Sequence, residues 1–167
     1  IFGASQGARS INQAVLEGVE ELSHLDAQIV FATGKGGFDA FMKACAERGI
    51  SFRDVGGVHT AGVLRVLPYI YDMPAALAAS DLVVGRAGAG SISEFCARGL
   101  PAVLVPYPHA AANHQEYNAK VLEERGAAIV VKDAELDAGR LLTLLKELLS
   151  DGGRLRRMSE ASARLGR

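Results

Sequence analysis

Three turns in this chain hold residues whose types and spacing could do chemistry. The first is Gly3-Ala4-Ser5-Gln6-Gly7-Ala8, between a short apolar opening and an amphipathic stretch. Small residues let a backbone approach an anion closely. The free amides of a first helical turn point at it, and the helix dipole adds roughly half a positive charge. Ser5 adds a hydroxyl donor. The glycine spacing matches neither GxGxxG nor a GK[ST] loop, so an anion site and a plain strand-to-helix turn both fit. The second turn is Arg86-Ala87-Gly88-Ala89-Gly90-Ser91-Ile92-Ser93-Glu94. Here Ser91-x-x-Glu94 reads as a capping box, with Ser91 capping a helix and Glu94 reaching back to an amide. Spacing alone favours that cap. The competing role for Glu94 is to accept two hydrogen bonds from vicinal hydroxyls, as acidic residues do for ribose.

The third turn is Pro106-Tyr107-Pro108-His109, leading into Asn113-His114-Gln115-Glu116-Tyr117-Asn118. A proline-rich segment at a strand end is stiff and cannot pair onward. Asn and Gln side chains both donate and accept, which suits neutral sugar hydroxyls. His24 and His59 read as structural. A smaller feature, Tyr69-Ile70-Tyr71-Asp72-Met73-Pro74, reads as a strand end, an Asp72 N-cap and a proline in the first helical turn. Backbone groups at such a strand end could read the edge of a base.

These turns need elements to position them. Apolar runs rich in Val, Ile and Leu predict strands over 1–3, 28–32, 65–70, 81–85, 102–105 and 128–131. They show little period-2 alternation, as strands buried on both faces of a parallel sheet do. Amphipathic stretches predict helices over 8–22, 38–48, 74–79, 91–98, 113–125, 136–150 and 154–165. Gly49, Gly99 and Gly126 each follow an arginine and read as left-handed helix terminators. Residues 51–64 read as a loop with at most a short strand. The alternation predicts an α/β fold, a Rossmann-like, doubly wound, mostly parallel sheet of about six strands in a single domain over 1–167. Such sheets place ligands at the carboxyl ends of their strands.

Composition excludes several function classes. Eighteen basic residues against nineteen acidic ones leave no strongly basic surface, so no nucleic-acid partner is expected. Any phosphate must be held mainly by amides and local dipoles. Cys45 and Cys96 form no CxxC pair, which predicts no disulfide framework, no metal site and a reducing compartment. The most apolar stretch, 99–112, is short and carries Pro101, Pro106 and Pro108, so no membrane span is expected. The chain opens Ile1-Phe2 without Met, which reads as a piece cut from a longer protein.

Taken together, four ordered runs carry a resemblance. They are GASQGARSIN (3–12), PYIYDM (68–73), SDLVVGRAGAGSISEF (80–95) and GLPAVLVPYPHAAANHQEYNA (99–119). They resemble the C-terminal half of the MurG family of bacterial peptidoglycan glycosyltransferases. The resemblance implies one lobe of a two-lobed GT-B fold, the C-terminal UDP-sugar-binding domain, with the acceptor lobe absent from this chain. It implies an inverting transfer of N-acetylglucosamine from UDP to a lipid-linked muramyl-pentapeptide (lipid I to lipid II). The expected setting is peripheral, on the cytoplasmic side of the plasma membrane. No cofactor and no metal are implied, and the chain has no Asp-x-Asp motif.

By the same resemblance, Ser5, Gln6 and Gly7 would contact the diphosphate and Ile70 would read the uracil edge through its backbone. Ala89, Gly90, Ser91, Ile92 and Ser93 would touch phosphate and sugar, and Glu94 would hold the ribose hydroxyls. Gln115, with Asn118 and His114, would hold the N-acetylglucosamine hydroxyls. The catalytic base is expected in the absent lobe, so this chain alone is expected to be inactive. Three positions depart from the family pattern: Tyr71 replaces a frequent Asp, Ala4 a usual Gly, and Gly90 a larger residue or Ser. Two alternatives stand beside this reading. One is a lipid galactosyltransferase of the same superfamily using UDP-galactose. The other is a non-catalytic nucleotide-binding interaction module.

Overall fold

The computed structural model describes residues 1–3 and 8–166. The chain divides into two compact units, Ile1–Ile70 with Leu136–Lys146, and Tyr71–Glu135 with Glu147–Arg167.

In the first unit, α1 (Arg9–Glu17) buries Ile11, Ala14 and Val15, and α2 (Val19–Ser23) buries Val19 and Leu22. The expected single helix over 8–22 thus breaks at Gly18. A Cβ there would lie 3.3 Å from both Ala138 Cβ and Leu142 Cδ1, so the helix bends at the residue that lets its neighbour approach. Strand β1 (Ile29–Ala32) is followed by α3 (Phe38–Glu47). Then come β2 (Arg53–Val55), β3 (Val58–Ala61) and β4 (Leu64–Leu67). The sheet order is β1-β4-β3-β2, with β1 and β4 parallel. In the expected strand 1–3, Phe2 makes an isolated parallel bridge to Ala32. The Phe31 and Phe41 rings meet edge to face at 5.2 Å in the core.

The stretch 51–64, expected as a loop, is an antiparallel hairpin. Val55 pairs with Val58 across Gly56 (φ 62°) and Gly57 (φ 85°), and Asp54 Oδ1 accepts from the Gly57 amide at 2.8 Å. Two central residues with positive φ make the tight turn whose twist matches paired strands. A connection this short cannot cross over, so β2, β3 and β4 must run antiparallel. This sheet is therefore mixed, and the strands form two sheets where one was expected.

In the second unit, α4 (Met73–Ala78) begins at an Asp72 cap, whose Oδ1 accepts from the Ala75 amide at 3.0 Å, as expected. Strand β5 (Val83–Gly85), α5 (Ala89–Ala97), β6 (Ala102–Leu104), α6 (His114–Glu124) and β7 (Ala128–Val130) then alternate. The three strands are parallel in the order β5-β6-β7, and β5 and β6 are buried throughout. Helix α7 (Ala138–Ser150) lies mostly in the first unit, and α8 (Gly152–Leu165), which Asp151 caps through the Arg154 amide at 2.8 Å, lies in the second.

At the end of α5 the Leu100 amide returns to Phe95 C=O and the Gly99 amide to Cys96 C=O. Gly99 has φ 63°, the left-handed terminator expected from sequence. A Cβ there would also lie 3.1 Å from Ala163 Cβ, so glycine serves both the turn and the packing of α8.

Both cysteines are buried free thiols. Burial pushes Cys45 up to about 11, against a weaker downward pull from Arg48, and burial also raises Cys96. The unfolded chain releases the Cys45 proton near its ordinary 9.0, so the native state holds more protons above that pH. Stability is therefore expected to fall as pH rises from about 9 towards 11, and Cys45→Ala should flatten that fall. Urea unfolding of both proteins at pH 8 and 10.5 measures the difference. Equal slopes would contradict the assignment.

Candidate functional site

The site is built at the carboxyl ends of the parallel strands in the second unit. After β5 the chain continues through Arg86 and Ala87, both buried, to Gly88. Gly88 is extended (φ −67°, ψ 144°) and is the N-cap of α5. Its carbonyl accepts the first helical bond, from the Ile92 amide at 3.0 Å.

This overturns the capping box. The helix starts at Ala89, so Ser91 sits at its third position and Glu94 at its sixth, and among the described residues its N-terminus has no side-chain cap bond. The reason is that Gly88 turns the chain into the helix three residues earlier than Ser91 could. The amides of Gly88, Ala89, Gly90 and Ser91 then have no helical acceptor. Ala89 and Gly90 are exposed. A Cβ built on Gly88 or Gly90 would meet nothing within 4 Å. Neither residue has a positive φ, so no contact or backbone angle among the described residues requires glycine at either position. What their missing side chains leave is open space in front of a row of amides. Glu94 is exposed and lies one turn along, on the face shared by Gly90 and Ser91.

Arg86, which sequence reasoning did not select, organises the strand ends. Its Nη1 donates to Val105 C=O at 3.1 Å and Pro106 C=O at 3.3 Å, and it ion-pairs with Asp133 Oδ1. Val105 and Pro106 follow β6, and Asp133 opens a 3-10 turn (Asp133–Glu135) just after β7. One guanidinium thus ties the carboxyl ends of three strands together. The Tyr107 ring lies 5.5 Å from it, within cation–π range. The signal in the sequence was an arginine directly after an apolar strand, where a charge is stable only if paired.

The loop after β6 feeds α6. Gln115 Oε1 accepts from the amides of Ala87 at 3.2 Å and Tyr107 at 3.0 Å. Asn118 Nδ2 donates to Ala87 C=O at 3.3 Å. These two residues therefore meet the turn that bears residues 88–94. His114, the first residue of α6, is exposed. Just before it, Ala112 (φ 48°) and Asn113 (φ 54°) are both left-handed. That conformation costs a non-glycine residue roughly 1–2 kcal/mol, and it starts α6 one residue later than expected. Such strain clusters at ligand sites.

Ile70 lies in the first unit, half-buried, in a segment after β4 that is in no strand. Ser5, Gln6 and Gly7 lie outside the described residues. His24 and His59 hold the structural roles expected. His24 Nδ1 bonds Glu20 C=O at 2.7 Å, and the His59 ring packs 5.1 Å from that of Phe38.

A parallel sheet whose strands alternate with helices, and which delivers a helix N-terminus at its strand ends, defines an α/β domain of the Rossmann-like kind. More particularly, the chain belongs to the glycosyltransferase family 28 C-terminal domain family, whose model matches residues 1–166. It is similar to the UDP-N-acetylglucosamine--N-acetylmuramyl-(pentapeptide) pyrophosphoryl-undecaprenol N-acetylglucosamine transferase of Moorella thermoacetica, at 48% identity over 99% of this chain and 43% of the relative. The enzyme of the same name from Desulforamulus reducens is 42% identical over 100% of this chain and 44% of the relative. The crystal structure of Acinetobacter baumannii MurG superposes with a TM-score of 0.76 at 28% identity, covering 98% of this chain and 46% of that one. The chain thus spans less than half the length of the relatives it matches.

Proposed function

We propose that this chain is the single donor-binding domain of an inverting, two-lobed glycosyltransferase. It binds UDP-N-acetylglucosamine, for transfer to a lipid-linked muramyl-pentapeptide held by a further lobe, in a protein lying peripherally on the cytoplasmic face of the membrane. The observation that carries this reading is the uncapped, glycine-opened N-terminus of α5. The names of the full-length relatives support N-acetylglucosamine over galactose as the sugar, and a transferase over a non-catalytic module.

Each proposed contact follows from what its groups offer. The amides from Gly88 to Ser91, with Ser93 and Ile92 beside them, hold the diphosphate and neighbouring sugar. When the sugar–phosphate bond breaks, the leaving UDP gains negative charge. Amides already aimed at it stabilise that charge without reorganising, and one such donor is typically worth about 2.7–4 kcal/mol in other enzymes. Glu94, released from any capping duty, accepts from the two ribose hydroxyls. Gln115 commits Oε1 to two backbone amides, so it presents its Nε2 hydrogens to the sugar, with His114 beside it. Ile70 reads the uracil edge through its backbone. Ser5, Gln6 and Gly7 add donors to the diphosphate.

Calorimetric titration with UDP tests this reading. Saturable one-to-one binding is expected. No heat and no saturation up to millimolar UDP would overturn it.

A further inference from the structure

We propose that Arg86 is a positioning residue for the side-chain amide of Gln115, a reading that rests on the donor-binding function above. The link is the Pro106–Tyr107 peptide, which is held at both ends. Arg86 Nη1 donates to the Pro106 carbonyl at 3.3 Å, and the Tyr107 amide donates to Gln115 Oε1 at 3.0 Å. Arg86 is buried, and its guanidinium is itself anchored by the Val105 carbonyl and by Asp133. It also lies 5.5 Å from the Tyr107 ring, so it meets that residue through the side chain as well.

The consequence follows from peptide geometry. No cis peptide occurs among the described residues. In a planar trans peptide the Pro106 carbonyl and the Tyr107 N–H point in opposite directions. By drawing that carbonyl to itself, Arg86 turns the Tyr107 N–H towards Gln115. The flanking chain is stiff, because the Pro106 ring fixes φ and Pro108 restricts Tyr107. A second amide, that of Ala87, reaches the same Oε1 at 3.2 Å. A glutamine side chain can offer either its oxygen or its nitrogen to a neighbour. Two converging N–H donors admit only the oxygen, which leaves Nε2 facing away from them with both hydrogens to donate. With one donor lost, the amide is held at a single point and can rotate about it. Arg86 therefore acts on the sugar through Tyr107 and Gln115.

A double-variant titration tests this. The chain, Arg86→Met, Gln115→Ala and the double variant are titrated with UDP and with UDP-N-acetylglucosamine, well below their melting temperatures. The quantity read is the dissociation constant for UDP-N-acetylglucosamine divided by that for UDP. This ratio cancels any change common to both ligands, such as an altered charge near the diphosphate. Arg86→Met is expected to raise it about three- to tenfold. In the Gln115→Ala background the same substitution should add no further rise, because the group it positions is gone. Arg86→Lys keeps a donor for the carbonyls, so a smaller rise is expected, and it serves if the methionine variant does not fold. An unchanged ratio with a lowered melting temperature would reduce Arg86 to fold maintenance and overturn the proposal. A rise that persists in full without Gln115 would overturn it equally. A wild-type chain that binds neither ligand would sink the donor-binding reading and this one with it.

Discussion

Arg86→Met is expected to lower the unfolding free energy by about 3 kcal/mol, the low end of the cost of breaking a buried ion pair from one side, because Asp133 is only half-buried. The loss has two parts. Asp133 loses its guanidinium in a half-buried position, and the carbonyls of Val105 and Pro106 lose their shared donor. Methionine keeps most of the aliphatic stem, so lost packing adds little. Asp133→Leu in the same background should recover part of the loss, because an apolar replacement of both partners removes the stranded charge. Urea denaturation of the two single variants and the double variant measures the coupling. A loss below about 1 kcal/mol for Arg86→Met would place the pair with exposed salt bridges, which contribute little. It would also show that the three strand ends hold together without it.

The second large effect is on binding. Glu94→Gln is expected to weaken UDP binding about ten- to a hundredfold, while the melting temperature moves by less than about 2 °C. Hydrogen bonds from ribose hydroxyls to a carboxylate are charge-assisted, and the neutral amide forms weaker ones. The opposing electrostatic effect makes the result diagnostic. Removing a negative charge near the diphosphate should by itself tighten binding, so a weaker complex means that lost hydrogen bonds outweigh that gain. Pyrophosphate, which lacks the ribose, should show no loss. With 2′-deoxy-UDP the gap between the two proteins should narrow. A large fall in melting temperature with unchanged UDP affinity would instead return Glu94 to a purely local role in α5.

Much of the fold was legible because its signals are local. The runs at 83–85 and 102–104 are apolar on both faces, and only a covered parallel sheet buries such strands. Gly49, Gly99 and Gly126 mark helix ends because the left-handed conformation there excludes most other residues. The hairpin was less legible. Its edge strand β2 is exposed at every residue, so it carries no apolar pattern, and only Gly56-Gly57 marked its turn. The capping box failed for a related reason. Ser91 and Glu94 satisfy the spacing, but Gly88 satisfies the backbone geometry three residues sooner.

What the sequence determined alone is the alternation of strands and helices, the helix ends and the small-residue turns, since each depends on neighbours within a few positions. Tertiary structure decided the partners. That Arg86 would bridge to Asp133, and that Gln115 and Asn118 would close on the backbone of Ala87, depends on contacts between residues from 28 to 47 positions apart. Such contacts exist only once parallel strands bring their carboxyl ends side by side, because the backbone hydrogen bonds that set strand register carry no trace in the side-chain pattern of any one strand.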